Sequence, residues 1–403
     1  MINSEAGRCL LCKIPKCSAA CAVRTDVPTA MKLYREGRME EAGKILFENN
    51  PFSAITSRVC DWNKTCYGHC VLNAKKVPVK WHEIEAEIAG DYLFHAHITI
   101  GETNGKKVAI VGAGPAGITA AIKLRELGCN VTIYDENQKL GGVLRYGIPE
   151  FRLSRKYIEQ YDRILDEAGI TFIGNTRLGR DLRLDDLREN HDAVFIATGA
   201  AIPRRLDIPG EDNQDIIYAL DYLKNPDSYK LGKNVLVIGG GNVTMDASRT
   251  ALRKGHDVTV YYRKTFENMP ANSLEVDEAR EEGVKFCLFE VPVAIEGHEA
   301  VMRKCENVVR PDGRISTKMI EGSDHKVPFD NMLVAISASI DTTIFGQSAP
   351  EIKGGWITAD ERQQTSLPGV FIAGDLILGP ATVVEAVASA KTAVAGIMEY
   401  LGI

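Results

Sequence analysis

Seven of the ten cysteines lie in the first seventy residues: Cys9, Cys12, Cys17 and Cys21 in one tight run, and Cys60, Cys66 and Cys70 in a second. Thiolates are the soft ligands that iron–sulfur clusters take, four to a cubane. Two cubanes held by thiolate alone would leave this set one ligand short. Zinc is the competing metal, but its structural sites usually draw on two cysteine pairs separated by a longer loop. The remaining cysteines, Cys129, Cys287 and Cys305, stand far apart and offer no C-x-x-C pair of the kind that disulfide reductases use.

Glycines carry the second kind of chemistry. Gly112, Gly114 and Gly117 follow the apolar run Val108–Val111 and open an apolar, helix-like stretch. In that context a Gly-x-Gly-x-x-Gly turn brings backbone close to a pyrophosphate and aims a helix N-terminus at it. The next run, "VTIYD", ends in Asp135, a carboxylate placed to accept a hydrogen bond from a ribose hydroxyl. About 127 residues later the layout repeats with Gly239, Gly241 and then Thr244, where a third glycine or alanine is usual. Its following run, "VTVYY", ends in Arg263 and Lys264. Cations there suit a ribose 2′-phosphate. An acid after one turn and bases after the other point to FAD at the first and NADPH, rather than NADH, at the second. That pairing serves hydride transfer to a flavin.

The elements that must position these groups are legible as a change of period. Up to about residue 98 the spacing predicts helices, as in "VPTAMKLYREGRMEEAGKILFENN" and "PVKWHEIEAEIAGDYLF". "IGETNGKK" then reads as a linker, and two βαβ units follow, giving an α/β class with parallel sheets. A net charge of −6 argues against a nucleic-acid surface, and no apolar run is long enough to span a membrane. The N-terminus lacks a secretory pattern, so a cytoplasmic location is expected. His82, His95 and His97 read as surface or packing residues. No general base is assigned, because hydride transfer to a flavin depends on alignment more than on an acid.

"LGGVLRYGIPEFRL" (140–153), "ATGA" (197–200), "GGGNVTMDASRTA" (239–251), "YRKTFENMPA" (262–271), "SLPGVFIAGD" and "ATVVEAVASAKTA" (366–393) carry a further signal. With them the chain resembles the glutamate synthase small-subunit family, which includes the flavin and iron–sulfur part of dihydropyrimidine dehydrogenase and its separate bacterial subunit. The resemblance implies a helical domain with two [4Fe–4S] clusters (1–98) and an FAD domain in two parts (99–225 and 339–403). Between those parts it implies an NADPH domain (226–338). It implies Asp135 at the FAD ribose, Gly142 near the flavin, and Arg152 at the phosphates or flavin. Asp375 would lie at the ribityl chain, and Thr382 would open a last helix aimed at the isoalloxazine. Thr198, Gly374 and Asn242 fall in the same cofactor-binding motifs. It further implies Cys9, Cys12, Cys17 and Cys70 as ligands of one cluster and Cys21, Cys60 and Cys66 as ligands of the other. Glu85 stands at the position of the missing eighth ligand, with His69 and Asp61 as alternatives.

Some positions depart from the family pattern. Ala22 and Asp61 stand where proline usually follows Cys21 and Cys60, and Thr244 stands where alanine is common. "VAISASIDTTIF" replaces a Gly-Gln-x-Pro-Asn stretch, which bears on nicotinamide contacts near 337–341. The expectation is an electron-input subunit that passes electrons from NADPH through FAD and two clusters to a separate catalytic partner. That partner would be glutamate synthase-like or dihydropyrimidine dehydrogenase-like. Competing readings are a self-contained reductase of a soluble acceptor and a non-catalytic redox-sensing module.

Overall fold

Apolar, β-branched runs such as Lys107–Val111 and Asn234–Gly239 form strands buried on both faces, as parallel sheets require. The computed structural model describes residues 4–403. The chain forms two units. One takes the chain up to Arg145, then Glu150–Ala201 and Ile340–Ile403; the other takes Tyr146–Pro149 and Ile202–Ser339.

In the first unit five parallel strands lie in the order Val370–Ile372, Ala193–Ile196, Lys107–Val111, Asn130–Tyr134, Thr171–Ile173. The first edge strand is supplied by the chain after it returns from the second unit. The second unit repeats the pattern with Ile216–Tyr218, Asn331–Ala335, Asn234–Gly239, Asp257–Tyr262 and Lys285–Leu288, again all parallel. It adds an antiparallel sheet built on the long strand Glu299–Val309. In each sheet the strand before the glycine turn is central. The second unit begins earlier than position 226, because Ile216–Tyr218 pairs with Asn331–Ala335 and draws residues from Ile202 onward into it.

The N-terminal region is helical. Asp26 caps Val27–Arg35 by accepting from the Thr29 N–H at 3.3 Å. The expected single run from 27 to 50 is two helices, Val27–Arg35 and Met39–Asn49, because Gly37 turns the chain at φ +75°. Trp81–Leu93 packs on Met39–Asn49 and Ser53–Val59.

This region and the flavin-type fold share one unit, and the contacts are specific. Tyr161 is fully buried, stacks on Phe52 at 4.4 Å and donates to Pro51 O at 2.7 Å. Lys391 Nζ donates to Asn49 O and Oδ1 at 2.9 and 2.8 Å, and Arg163 holds the carbonyls of Leu93 and Ala96. "IGETNGKK" is not a free linker. Asn104 Nδ2 donates to Leu127 O at 2.9 Å, and a Cβ on Gly128 would lie 1.8 Å from Glu102 O.

Candidate functional site

The first glycine turn is shaped by close approach. Gly112 sits at φ +104°, and a Cβ there would meet Ala197 O at 2.3 Å; on Gly117 it would meet Gly112 O at 1.8 Å. Gly114 differs: a Cβ on it meets nothing within 4 Å, so packing does not require that glycine. Room at the open end of a helix N-terminus, Pro115–Glu126, is what a pyrophosphate needs. Around this turn the structure gathers other expected residues. Asp135 Oδ2 accepts from Ala113 N–H at 2.6 Å, and its Oδ1 takes Asn137 N and Nδ2 at 2.7 and 2.9 Å. Oδ2 thus keeps a lone pair for a hydroxyl. Gly142, at φ +51°, lies against Gly114, and Gly374 against Ala116. The Thr198 hydroxyl is buried without a partner beside Gly112, an orphan that a polar cofactor would satisfy.

Asp375 accepts from Ala381 N–H at 3.1 Å and so ties down the turn before the last helix, Val383–Leu401. Burial raises its carboxyl to about 6, against the pull of that hydrogen bond. Thr382 caps the helix: its hydroxyl accepts from Glu385 N–H, while Glu385 Oε2 accepts from Thr382 N–H at 2.8 Å. Arg152 is half-buried in the turn ahead of Arg155–Glu167. These residues fit FAD: a cradle, an acceptor at the strand end, an orphan hydroxyl and a capped helix N-terminus.

The second turn is built alike. A Cβ on Gly239 would meet Ala335 O at 2.3 Å, and Gly241, like Gly114, faces open space. Thr244 is fully buried without crowding: its hydroxyl accepts from Gly241 N–H at 3.2 Å and reaches Ala335 O at 3.4 Å. Asn242 Oδ1 accepts from Asn272 N–H at 2.9 Å, so that side chain braces the neighbouring loop. Past the next strand, Arg263 is exposed and has no ion-pair partner among the described residues. Lys264 Nζ donates to Ile315 O at 2.8 Å, which neutralises none of its charge. Near 337–341, Ser337 has φ +126° and Asp341 pairs with Arg177 at 2.8 Å.

The cysteines gather into two cavities. Cys9, Cys12, Cys17 and Cys70 line an outer one of about 350 Å³, and Cys21, Cys60, Cys66 and Glu85 an inner one of about 420 Å³, both partly open to solvent. Val27 lines both and forms a shared wall. Arg35 shapes the first cysteine loop from beneath, donating to Ala6 O and Cys9 O. Cys60 ends the helix Ser53–Val59, and Glu85 lies on the buried face of Trp81–Leu93 with Trp81, Ile84 and Ile88. Asp61 pairs with Lys64 at 2.9 Å and exposed His69 bonds Thr65 O, so neither alternative ligand lines the inner cavity.

Burial, then the Glu85 charge, drives the Cys60 thiol far up and the Cys66 thiol up to about 12. Burial lifts the Glu85 carboxyl to about 8 against a hydrogen bond from Trp81. Burial also raises the Cys9 and Cys17 thiols. A cationic centre would favour the ionised form of each of these groups, so the donor chemistry fits a metal cluster. Among the described residues no three His, Cys, Asp or Glu side chains converge closely enough to share one ion. Ligands arrayed about a space suit a polynuclear cluster better than a single zinc.

Sequence reasoning did not single out Val27, Val384, Arg35 or Trp62. Val384, from the last helix of the flavin fold, lines the inner cavity beside Trp62. Trp62 stacks on His82 at 4.0 Å, and burial lowers the His82 imidazole to about 4. Only the "DW" after Cys60, in place of proline, hinted at Trp62.

Comparison with known proteins agrees with these features. Residues 106–390 match the pyridine nucleotide-disulphide oxidoreductase family model, and 1–96 match dihydropyrimidine dehydrogenase domain II, 4Fe-4S cluster. The glutamate synthase [NADPH] small chain of Azospirillum brasilense is 35% identical, over 99% of this chain and 89% of that one. The NAD-dependent dihydropyrimidine dehydrogenase subunit PreT of Escherichia coli is 30% identical, over 98% and 93%. Among solved structures, FprA from Mycobacterium tuberculosis aligns with a TM-score of 0.68 at 20% identity, over 74% of this chain and 85% of that one, a likeness of fold. No helix among the described residues is long and apolar enough to cross a membrane. The chain belongs to the glutamate synthase small-chain family of pyridine nucleotide-disulphide oxidoreductases, and is an NAD(P)H-dependent FAD and iron–sulfur oxidoreductase.

Proposed function

We propose that this protein takes electrons from NADPH and delivers them, through FAD and two [4Fe–4S] clusters, to a separate catalytic subunit. The observation that carries this reading is the pair of four-ligand cavities sharing Val27, the inner one touching Val384, two residues past the capping Thr382. Bound between nicotinamide and clusters, a flavin would supply the conversion of a hydride's electron pair into the single electrons that iron–sulfur clusters pass.

The chain's own residues do the positioning. The backbone at Gly112–Gly117, with the helix it opens, would hold the FAD pyrophosphate, and Asp135 the ribose. Asp375 and Thr382 would set the last helix N-terminus, whose dipole stabilises negative charge on a reduced flavin. The eight ligands named above would hold the clusters. In the second unit Gly239–Thr244 would cradle the NADPH pyrophosphate, and unpaired Arg263 the 2′-phosphate. Two curated relatives named as small chain or subunit support a catalytic partner, which would be of the glutamate synthase or dihydropyrimidine dehydrogenase kind. Of the three isolated cysteines, Cys129 and Cys305 are buried, which favours this reading over a disulfide reductase.

An anaerobic titration tests the reading. Fully loaded protein carries about eight irons and one FAD per chain, and NADPH bleaches flavin and cluster bands together. About four irons, or flavin bleaching with the cluster bands unmoved, would sink it.

A further inference from the structure

We propose that the outer cysteine cavity opens on a docking surface for an acidic protein that carries a one-electron acceptor. This rests on the reading that a cluster occupies that cavity. Two segments border the cavity, the loop 10–16 and the turn 71–77. They expose an apolar centre: Ile14 is 86% exposed, Leu10 62% and Val77 47%, with Val71 also exposed. Leu10 and Val71 line the cavity mouth itself.

Around that centre stand Lys13, Lys16, Lys75 and Lys76, all exposed, and none has a carboxylate partner among the described residues. Neither segment contains an Asp or Glu, although the chain as a whole carries a net charge of −6. Elsewhere exposed lysines are usually paired, as Lys32, Lys44, Lys64, Lys80 and Lys326 are. Exposed apolar side chains interspersed with unpaired lysines, with the adjoining carboxylate, Glu5, already paired to Arg8 at 2.7 Å, are the composition of a protein interface whose partner is oppositely charged. The inner cavity is lined instead by Val384 of the flavin fold and by buried Glu85, whereas exposed Leu10 and Val71 line the outer one. On this reading the inner cavity faces the flavin fold and the outer one faces the docking surface.

The overall step balances. One NADPH gives up a hydride, two electrons and a proton; two oxidised acceptors each gain one electron; NADP⁺ and one proton are released.

The test uses the fully loaded chain and two haem proteins as probes, an acidic b-type cytochrome and a basic c-type cytochrome. Binding is read by titration and by hydrogen exchange. The acidic probe is expected to bind with an affinity that falls about tenfold or more between low and physiological salt, and to protect amides in 10–16 and 71–77. The basic probe is expected not to bind. The variant Lys13→Glu/Lys75→Glu/Lys76→Glu should reverse the preference while NADPH-dependent ferricyanide reduction is kept. Protection elsewhere, equal binding of both probes, or an unchanged preference in the variant overturns the docking surface. If the footprint appears but NADPH reduces neither ferricyanide nor the probe, the electron-input reading has failed instead.

Discussion

Glu85 is a buried carboxyl that lines one cavity with three thiols, a combination that favours a positive centre between them. If it completes the second ligand set, Glu85→Ala should lower iron from about eight to about four per chain, and Glu85→Cys should restore it. Unchanged iron in the alanine variant would make Glu85 a bystander. Arg263 is the opposite case, an exposed cation waiting for a charge. Removing a charged hydrogen bond costs about 1.5–3 kcal/mol, so Arg263→Ala should raise KM for NADPH about tenfold or more and leave NADH alone; equal losses would refute the phosphate clamp. Asp375 carries a pH signature. Its carboxyl titrates near 3.8 in the unfolded chain and at about 6 in the fold. Between those values the native state holds the extra proton, so stability falls as pH rises, by about 3 kcal/mol once above 6. Flavin-free Asp375→Asn should therefore unfold at higher urea than the flavin-free parent near neutral pH, with the gap closing as pH drops below about 4. The same variant should bind FAD more weakly. A constant gap across pH would show that the carboxyl is not the cause.

At the scale of elements, the glycine turns separate two duties that the sequence pattern merges. Gly117→Ala drives a methyl into Gly112 O and should abolish soluble protein or cost several kcal/mol. Gly114→Ala meets open space at an ordinary φ of −80°. It should leave the flavin-free fold within about 0.5 kcal/mol of the parent and lower flavin occupancy, measured by absorbance on purified protein. A Gly114→Ala chain that keeps full flavin would remove the pyrophosphate from this turn. These turns were legible in advance because their constraint is backbone geometry, which only glycine relieves. Asp135 and Arg263 were legible for a related reason, since strand ends after a glycine turn have a fixed address. Thr244 was not, because whether a hydroxyl crowds or bonds depends on Ala335, ninety-one positions away. Val27 and the Trp62–His82 stack were invisible for the same reason: they are meetings of distant side chains. The helix break at Gly37 was written plainly, but helical spacing on both sides masked it.

Across the whole molecule, the helical N-terminal region and the flavin-type fold behave as one packed body. Near residue 98 the period changes where helices give way to a parallel sheet, yet period says nothing about how tightly two architectures are joined. Buried Tyr161 reports on that join. Tyr161→Ala removes the stack on Phe52 and the bond to Pro51 O, a loss of about 3–5 kcal/mol. It should lower the temperatures of flavin release and cluster bleaching together. Tyr222→Ala, at the centre of the second unit's core, should lower NADPH affinity and leave those two temperatures in place. Clusters that bleach earlier in Tyr161→Ala with flavin release unmoved would mean the two parts melt independently.

The pinned segment 99–105 has a consequence for anyone who wishes to move this electron relay into another protein. The obvious cut, at the change of composition, would tear Asn104 from Leu127 and uncover the carbonyls of Asn49 and Pro51. The main seams are at Ala201/Ile202 and Ser339/Ile340, where the chain passes between units, with the short segment Tyr146–Pro149 also belonging to the second unit. A transplant that respects them would exchange the unit proposed to select the coenzyme and carry cysteines and the proposed flavin cradle across as a single cassette. If the proposed sites hold, the coenzyme is the easy thing to re-engineer here, and separating flavin from clusters the hard one.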